Sequence, residues 1–361
     1  MKRFFTRVSS GLFGKARLRL YVWLSLVTQV LIVVTGGLVR LTGSGLGCPT
    51  WPKCTDESLV STSEMGIHGI IEFGNRLLTF VLLIIALLTF IVVVRASEAL
   101  RVILPRLIAF FAGVFVFIAG LILNNVQGLT PLTLFVLGLS ALMMLGFAAV
   151  ILAIAKSRDP KGLIAPAFLL GAGIILQAVI GGVTVLTGLN SWIVGLHFMV
   201  SMALIATASL LVWRALPKPA GPVSAVNSLL AWPTFLVGIV AISFGVVVTG
   251  AGPHAGDAAT PRNGLDLEVW QHFHSYPGYL MLLLISVQLV SQLRLTGASA
   301  RPLENRVLLL LFATASAQAV IGVVQSRLGV PELLVGVHML GAACLASLLS
   351  FQLFSGRSFT R

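Results

Sequence analysis

Six histidines, one glutamate in an apolar setting and two closely spaced cysteines carry the chemistry available to this chain. The histidines are His68, His197, His254, His272, His274 and His338, and each stands at the end of a long apolar run or in a loop beside one. Imidazole ligates metals and moves protons near neutral pH. The stretch "HGIIEFGNRLL" (68–78) adds a carboxylate. At 3.6 residues per turn, His68, Glu72 and Asn75/Arg76 share one helix face. Glu72 then has two readings: a structural ion pair with Arg76 at i+4, or a carboxylate held beside a reacting centre.

An internal repeat orders the histidines. "QAVIGGVTVLTGLNSWIVGLH" (177–197) aligns without a gap to "QAVIGVVQSRLGVPELLVGVH" (318–338), with 10 of 21 positions identical and a histidine closing each copy. A fainter echo links "VTGGLVRLTGSGLGC" (34–48) with "SFGVVVTGAGPHAGD" (243–257). Each leaves a helix through T-G-x-G, and each is followed by a long loop and a helix that opens with histidine: His68 in one copy, His272 and His274 in the other. Paired histidines on facing helices of a bundle are the arrangement that holds a haem iron between two imidazoles. One pair in each half predicts two haems near one edge of the membrane. The second half has neither a carboxylate nor an arginine in "HSYPGYLMLL" (274–283) to match Glu72 and Arg76, so the two pockets divide the labour. Chemistry belongs to the N-terminal half and a redox cofactor to the C-terminal half.

The elements that position these residues are membrane spans. The 361-residue chain is 57% hydrophobic and 10% charged, which is a polytopic membrane composition. Runs of about 20 apolar residues, one bilayer thickness each, predict ten spans at 20–41, 70–94, 106–124, 131–155, 164–186, 192–213, 228–250, 271–292, 306–326 and 334–355. The fold class expected is all-α: two tandem four-helix bundles, 20–214 and 228–355, the first interrupted by a hairpin, 106–155, that has no counterpart in the second. The hairpin's polar turn, "NNVQGLTP" (124–131), holds no ionisable residue, which suits a structural or partner-docking role.

An even number of spans puts both termini on one side. Nineteen of the 24 Lys/Arg fall on that side, from Lys2, Arg3, Arg7, Lys15, Arg17 and Arg19 to Arg357 and Arg361; Arg40, Lys53, Arg76, Arg262 and Arg327 do not. By the positive-inside rule the termini are cytoplasmic and the histidines external. The net charge of +13 is thus a topology signal, and nucleic acid is not an expected partner. The basic stretch 1–19 looks like the start of a signal peptide, but the run after it is span-length and lacks a small-residue cleavage site, so it reads as a retained helix. Cys48 and Cys54 fall on the external side, where disulfides persist, and a disulfide is expected there over free thiols or a metal site. Cys344 has no evident partner and reads as a packing residue.

Taken together, "GGLVRLTGSGLGCPTWPKC", "IIEFGNR", "QAVIGGVTVLTGLNSWIVGLH", "TGAGPHAGD" and "QAVIG…LLVGVH" resemble the haem A synthase family, membrane enzymes that oxidise haem O to haem A. The likeness runs over 20–95 and 163–355. It implies eight spans in two pseudo-symmetric halves, haem b as cofactor in the C-terminal half and haem O as substrate in the N-terminal half. The C8 methyl of the substrate would be hydroxylated successively to a formyl group. Carried over, His274 and His338 ligate the haem b iron and His197 is a ligand on the substrate side. Glu72 matches the family's essential glutamate, and Cys48 and Cys54 match loop cysteines that would form a lid. Arg40 and Arg76 are candidate partners for haem propionates, and His254 is a loop or propionate contact. His272 and His274 point about 200° apart and cannot serve one iron; the family pattern favours His274.

This chain departs from the family twice. Asn75 stands where much of the family has histidine, so either His68 is the substitute ligand or the substrate haem has only one strong protein ligand, and the hairpin makes ten spans of eight. Haem O synthase, cytochrome oxidase assembly factors and an electron carrier are the candidate partners, and the cell membrane the expected location. Two rival functions are weighed on the residues. A cytochrome b that only transfers electrons explains paired histidines but not Glu72 and a cysteine loop in one half alone. A repeat-built transporter would often have inverted halves and polar midplanes.

Overall fold

The computed structural model describes residues 17–128, 130–217, 223–296 and 302–356. The basic residues Lys2, Arg3, Arg7, Lys15, Arg357 and Arg361, and Leu129 of the hairpin turn, lie outside the described residues. Ten long helices make up the described fold, each long and apolar enough to cross a membrane, and no strand occurs among the described residues. In chain order they are α1 Leu18–Leu41, α2 Gly66–Ala96, α3 Leu100–Gln127, α4 Pro131–Arg158, α5 Ile164–Leu186, α6 Ser191–Ala215, α7 Ala225–Ala251, α8 Leu267–Thr296, α9 Pro302–Arg327 and α10 Glu332–Gly356. In a bilayer every backbone N–H and C=O must find a partner within the chain, and continuous helices achieve that locally. The protein is an all-α multi-pass membrane protein.

Helix packing divides the spans into two rings. α1, α2, α5 and α6 close one, each touching its two neighbours; α7, α8, α9 and α10 close the other. The rings meet through α10, which packs on α1 and α6, and through α6 against α7. α3 and α4 pack chiefly on each other and only lightly on α2 and α5. Small residues set the close approaches, as is usual where lipid offers apolar contacts equal to those of another helix. A Cβ at Gly173 would come within 2.4 Å of Leu204, and one at Gly238 within 2.3 Å of Leu349. Buried hydroxyls and amides add glue: Ser25 to Thr89 at 2.8 Å within the first ring, and Ser209 to Ser347 at 2.9 Å between rings. At the end of the second ring away from the histidines, Gln352 donates to Gln288 and Gln288 to Thr234.

The repeat is repeated in backbone geometry. The turn from α5 to α6 places Gly188 and Leu189 at φ 59° each, and the turn from α9 to α10 places Gly329 at φ 75° and Val330 at φ 55°. Left-handed backbone is uncommon for any non-glycine residue and rarer still for a β-branched one. The same hydrogen bond closes both turns: Leu189 N to Thr184 O at 2.8 Å, and Val330 N to Gln325 O at 2.7 Å. All six histidines lie at the end of the molecule that carries these turns, together with the loops 42–65 and 252–266.

Candidate functional site

In the second ring, α8 and α10 bring His274 and His338 together, with ring centroids 6.2 Å apart and planes at 78°. Two metal–nitrogen bonds of about 2 Å, plus the half-width of each ring, fill such a gap, so one iron fits between them. His274 Nδ1 lies 2.9 Å from the carbonyl oxygen of Ala241. A carbonyl only accepts, so Nδ1 carries the proton and Nε2 keeps its lone pair for a ligand. Glycines make room for both rings: a Cβ at Gly245 would lie 3.0 Å from His274 Cε1, and one at Gly322 would lie 3.5 Å from His338 Cε1. Gln318 Nε2 donates to the His338 carbonyl at 3.0 Å and steadies the turn that carries it. The buried Nδ1 of His338 makes no hydrogen bond. Both rings are glycine-walled and His274 keeps Nε2 for coordination, which suits a pair of metal ligands. His272 is exposed on the other face of α8.

The first ring repeats half of this arrangement. Gln177 Nε2 donates to the His197 carbonyl at 2.9 Å, and a Cβ at Gly181 would meet His197 Cε1 at 3.3 Å. His197 Nδ1 is buried without a partner, as His338 Nδ1 is. On α2, Asn75 faces α1, with its Nδ2 4.0 Å from where a Gly36 Cβ would be. His68 is elsewhere. It is exposed at the first turn of α2, and its Nδ1 pairs with Ser44 Oγ at 2.9 Å.

A disulfide-closed loop caps the first ring. Cys48 and Cys54 are bonded and both are fully buried. Arg76 pins the loop down with its fork of donors: Nη1 to Lys53 O, and Nη2 to Cys48 O and Thr50 O, all at 3.0 Å. Its Nε donates to Glu72 Oε1 at 2.7 Å. Glu72 is buried, and a carboxylate oxygen lies within 4.8 Å of both sulfurs. Those sulfurs are joined to each other and offer no thiolate, so the trio is not a metal centre. From the loop, Trp51 reaches α5, where a Cβ at Gly182 would strike its ring at 2.3 Å, next to the glycine that faces His197. The loop therefore lies directly over the His197 side of the ring.

Arg40 lies apart from this cluster. At the end of α1 it crosses to the second ring, where Nη2 donates to Thr249 O at 2.6 Å and Nε is buried without a partner. It lines a cleft with Thr249, His254, Gln325, Val335 and Met339, the last beside His338. Arg262 adds a second cation near by, and His254 Nε2 ties its loop to Val330 O at 2.7 Å. Cys344 is a half-buried free thiol on α10.

The structure thus brings together His274 with His338, and Glu72 with Arg76, Cys48 and Cys54. It keeps His68, His272 and Arg40 out of the pockets to which the motifs pointed. Gln177, Gln318 and the four glycine walls were missed in the residue-by-residue reading, although the shared "QAVIG" carried two of each.

Comparison with known proteins agrees with the motif resemblance. Residues 19–122 match the family described as COX15-CtaA, cytochrome oxidase assembly protein. Two curated relatives are named heme A synthase. That of Geobacillus thermodenitrificans is 32% identical over 68 residues, 19% of this chain and 20% of the relative. That of Geobacillus kaustophilus is 34% identical over 80 residues, 22% of this chain and 24% of the relative. The matched stretches span less than a quarter of either relative, and they support the resemblance to the haem A synthase family.

Proposed function

We propose that this protein is a haem A synthase: it oxidises the C8 methyl of haem O to a formyl group, using haem b bound in the second ring. One observation carries the reading. Two rings share the same Gln–Gly–His architecture, yet among the described residues only the first has a buried carboxylate at the histidine end, and that carboxylate sits beneath a disulfide-closed loop; the buried Glu304 of the second ring lies at the opposite end, with Asn227. Two alike pockets would serve electron transfer, whereas a carboxylate held at one of them alone serves chemistry on what that pocket binds.

In this reading His274 and His338 hold haem b, which supplies one-electron transfer when bound. His197 holds the substrate porphyrin from α6. The loop 42–65, clamped by Arg76, keeps water from the reacting edge and orients Glu72. Glu72 accepts or returns a proton at its carboxylate, or stabilises positive charge as it develops at the methyl carbon. Arg76 is committed to the loop and to Glu72, so its part is to position the carboxylate rather than to hold a propionate. The positive-inside rule sets the termini in the cytoplasm and both pockets toward the external face.

The test is to purify the full chain from cells supplied with haem O, then extract and identify its haems. Haem b together with haem A or a hydroxylated haem O is the expected result. Haem b alone, two per chain and reducible by quinol, would make the protein an electron-transfer cytochrome and Glu72 a structural ion pair.

A further inference from the structure

The two rings differ at one more position, and the difference is in the ligand set. Gly36 and Gly245 stand at the same place, third from the start, in the echoed stretches 34–48 and 243–257. Each glycine is the wall against which one polar side chain of the next helix rests: His274 at Gly245, and Asn75 at Gly36. On the opposite side of each ring the pairs Gly181/His197 and Gly322/His338 also correspond. Three of the four corners are histidine and the fourth is Asn75. A carboxamide is a poor ligand for iron where imidazole is a good one. His68 does not fill the gap. It lies seven residues nearer the loop end, about 10 Å along α2 by helix rise, and its Nδ1 is already paired with Ser44.

We propose that the porphyrin bound in the first ring is held by a single protein nitrogen, from His197, and that Asn75 faces its other axial side as a hydrogen-bonding wall. This rests on the proposed function for the identity of that porphyrin. Asn75 Oδ1 is buried without a partner, so the amide has capacity to spare for a small polar molecule at that face. Glu72, three residues earlier, shares the helix face of Asn75 and borders the same side. One axial bond in place of two also suits a substrate that must leave after reaction, whereas the cofactor in the second ring keeps two.

The full-length protein, purified with haem O in the first ring and haem b in the second, is reduced and exposed to carbon monoxide while its absorption spectrum is recorded. Half of the haem should bind carbon monoxide and the other half stay low-spin. Asn75→His should abolish carbon monoxide binding and give a low-spin spectrum in both rings; His68→Ala should leave the wild-type spectrum unchanged. The second-ring haem reports in every sample that the protein is folded. Two haems per chain with neither binding carbon monoxide, or carbon monoxide binding gained only in His68→Ala, would overturn the inference while leaving the synthase reading intact. A first ring that takes up no haem O at all would overturn both.

Discussion

At the residue scale the decisive group is Arg76. Four hydrogen bonds run from one guanidinium, one to Glu72 and three to loop carbonyls, and a planar fork is what allows this. Lysine would keep the charge and lose the fork. Arg76→Lys is therefore expected to leave haem b bound while product formation falls about tenfold to a hundredfold, the usual consequence of a displaced catalytic group. Faster amide hydrogen exchange at 48–54 would accompany it, and unchanged exchange there would show that the loop does not depend on Arg76. Glu72→Gln keeps the shape and removes the negative charge. Product formation should fall by on the order of a hundredfold or more, with the second-ring spectrum unaltered; normal haem A output would reduce Glu72 to a structural partner of Arg76. The disulfide closes a short loop, and its entropic contribution to stability is modest, about 2 kcal/mol. Cys48→Ser should accordingly fold and lose only the fixed shape of the lid.

At the element scale the spans were legible in the sequence because the bilayer admits few alternatives: every one of the ten predicted runs lies within an observed helix or within two residues of it. The tandem repeat was legible for the same reason that its turns are alike, since left-handed Gly188 and Gly329 sit at matched positions. What sequence could not supply was register across loops of different length. The loop 42–65 is longer than 252–266, so matching the first histidine after each loop pairs His68 with His272 or His274. Packing pairs Asn75 with His274 instead, because glycine walls on α1 and α7 fix the depth. The hairpin α3–α4 shows another limit. Its residues Ile103, Leu107, Phe110 and Val114 are buried, and Phe110 packs edge-on against Phe168 at 5.3 Å. In lipid the alternative to such contacts is an acyl chain, so burial contributes packing and little hydrophobic free energy. Replacing residues 100–158 by a short flexible linker should leave an inserted protein with its second-ring haem spectrum intact and a melting temperature lower by only a few degrees. Loss of that spectrum would mean that the hairpin organises more than its own neighbours.

At the scale of the whole molecule the two rings are not independent modules, and Arg40 shows how they are coupled. By sequence it belongs to the first half and was grouped with the substrate pocket. In the fold α1 packs on α10, so closely that a Cβ at Gly37 would overlap Met339 at 2.2 Å, one residue past His338. That contact carries the end of α1 into the second half, and Arg40 bonds to Thr249, in the echoed stretch of that half. Its Nε is buried without a partner, and the residue lines one cleft with Met339 and Gln325. Thr249 lies one turn beyond Gly245, about 6 Å along α7, a distance that a propionate arm on a porphyrin held by His274 and His338 would cover. A cation so placed favours the reduced, less positive state of the cofactor. Arg40→Gln should then lower the midpoint potential of the second-ring haem in a redox titration while its low-spin spectrum persists. The first-ring spectrum and its affinity for haem O should not change. If the first ring changed and the potential of the second did not, Arg40 would belong to the substrate after all, and α1 would carry its arginine for the half in which the sequence placed it.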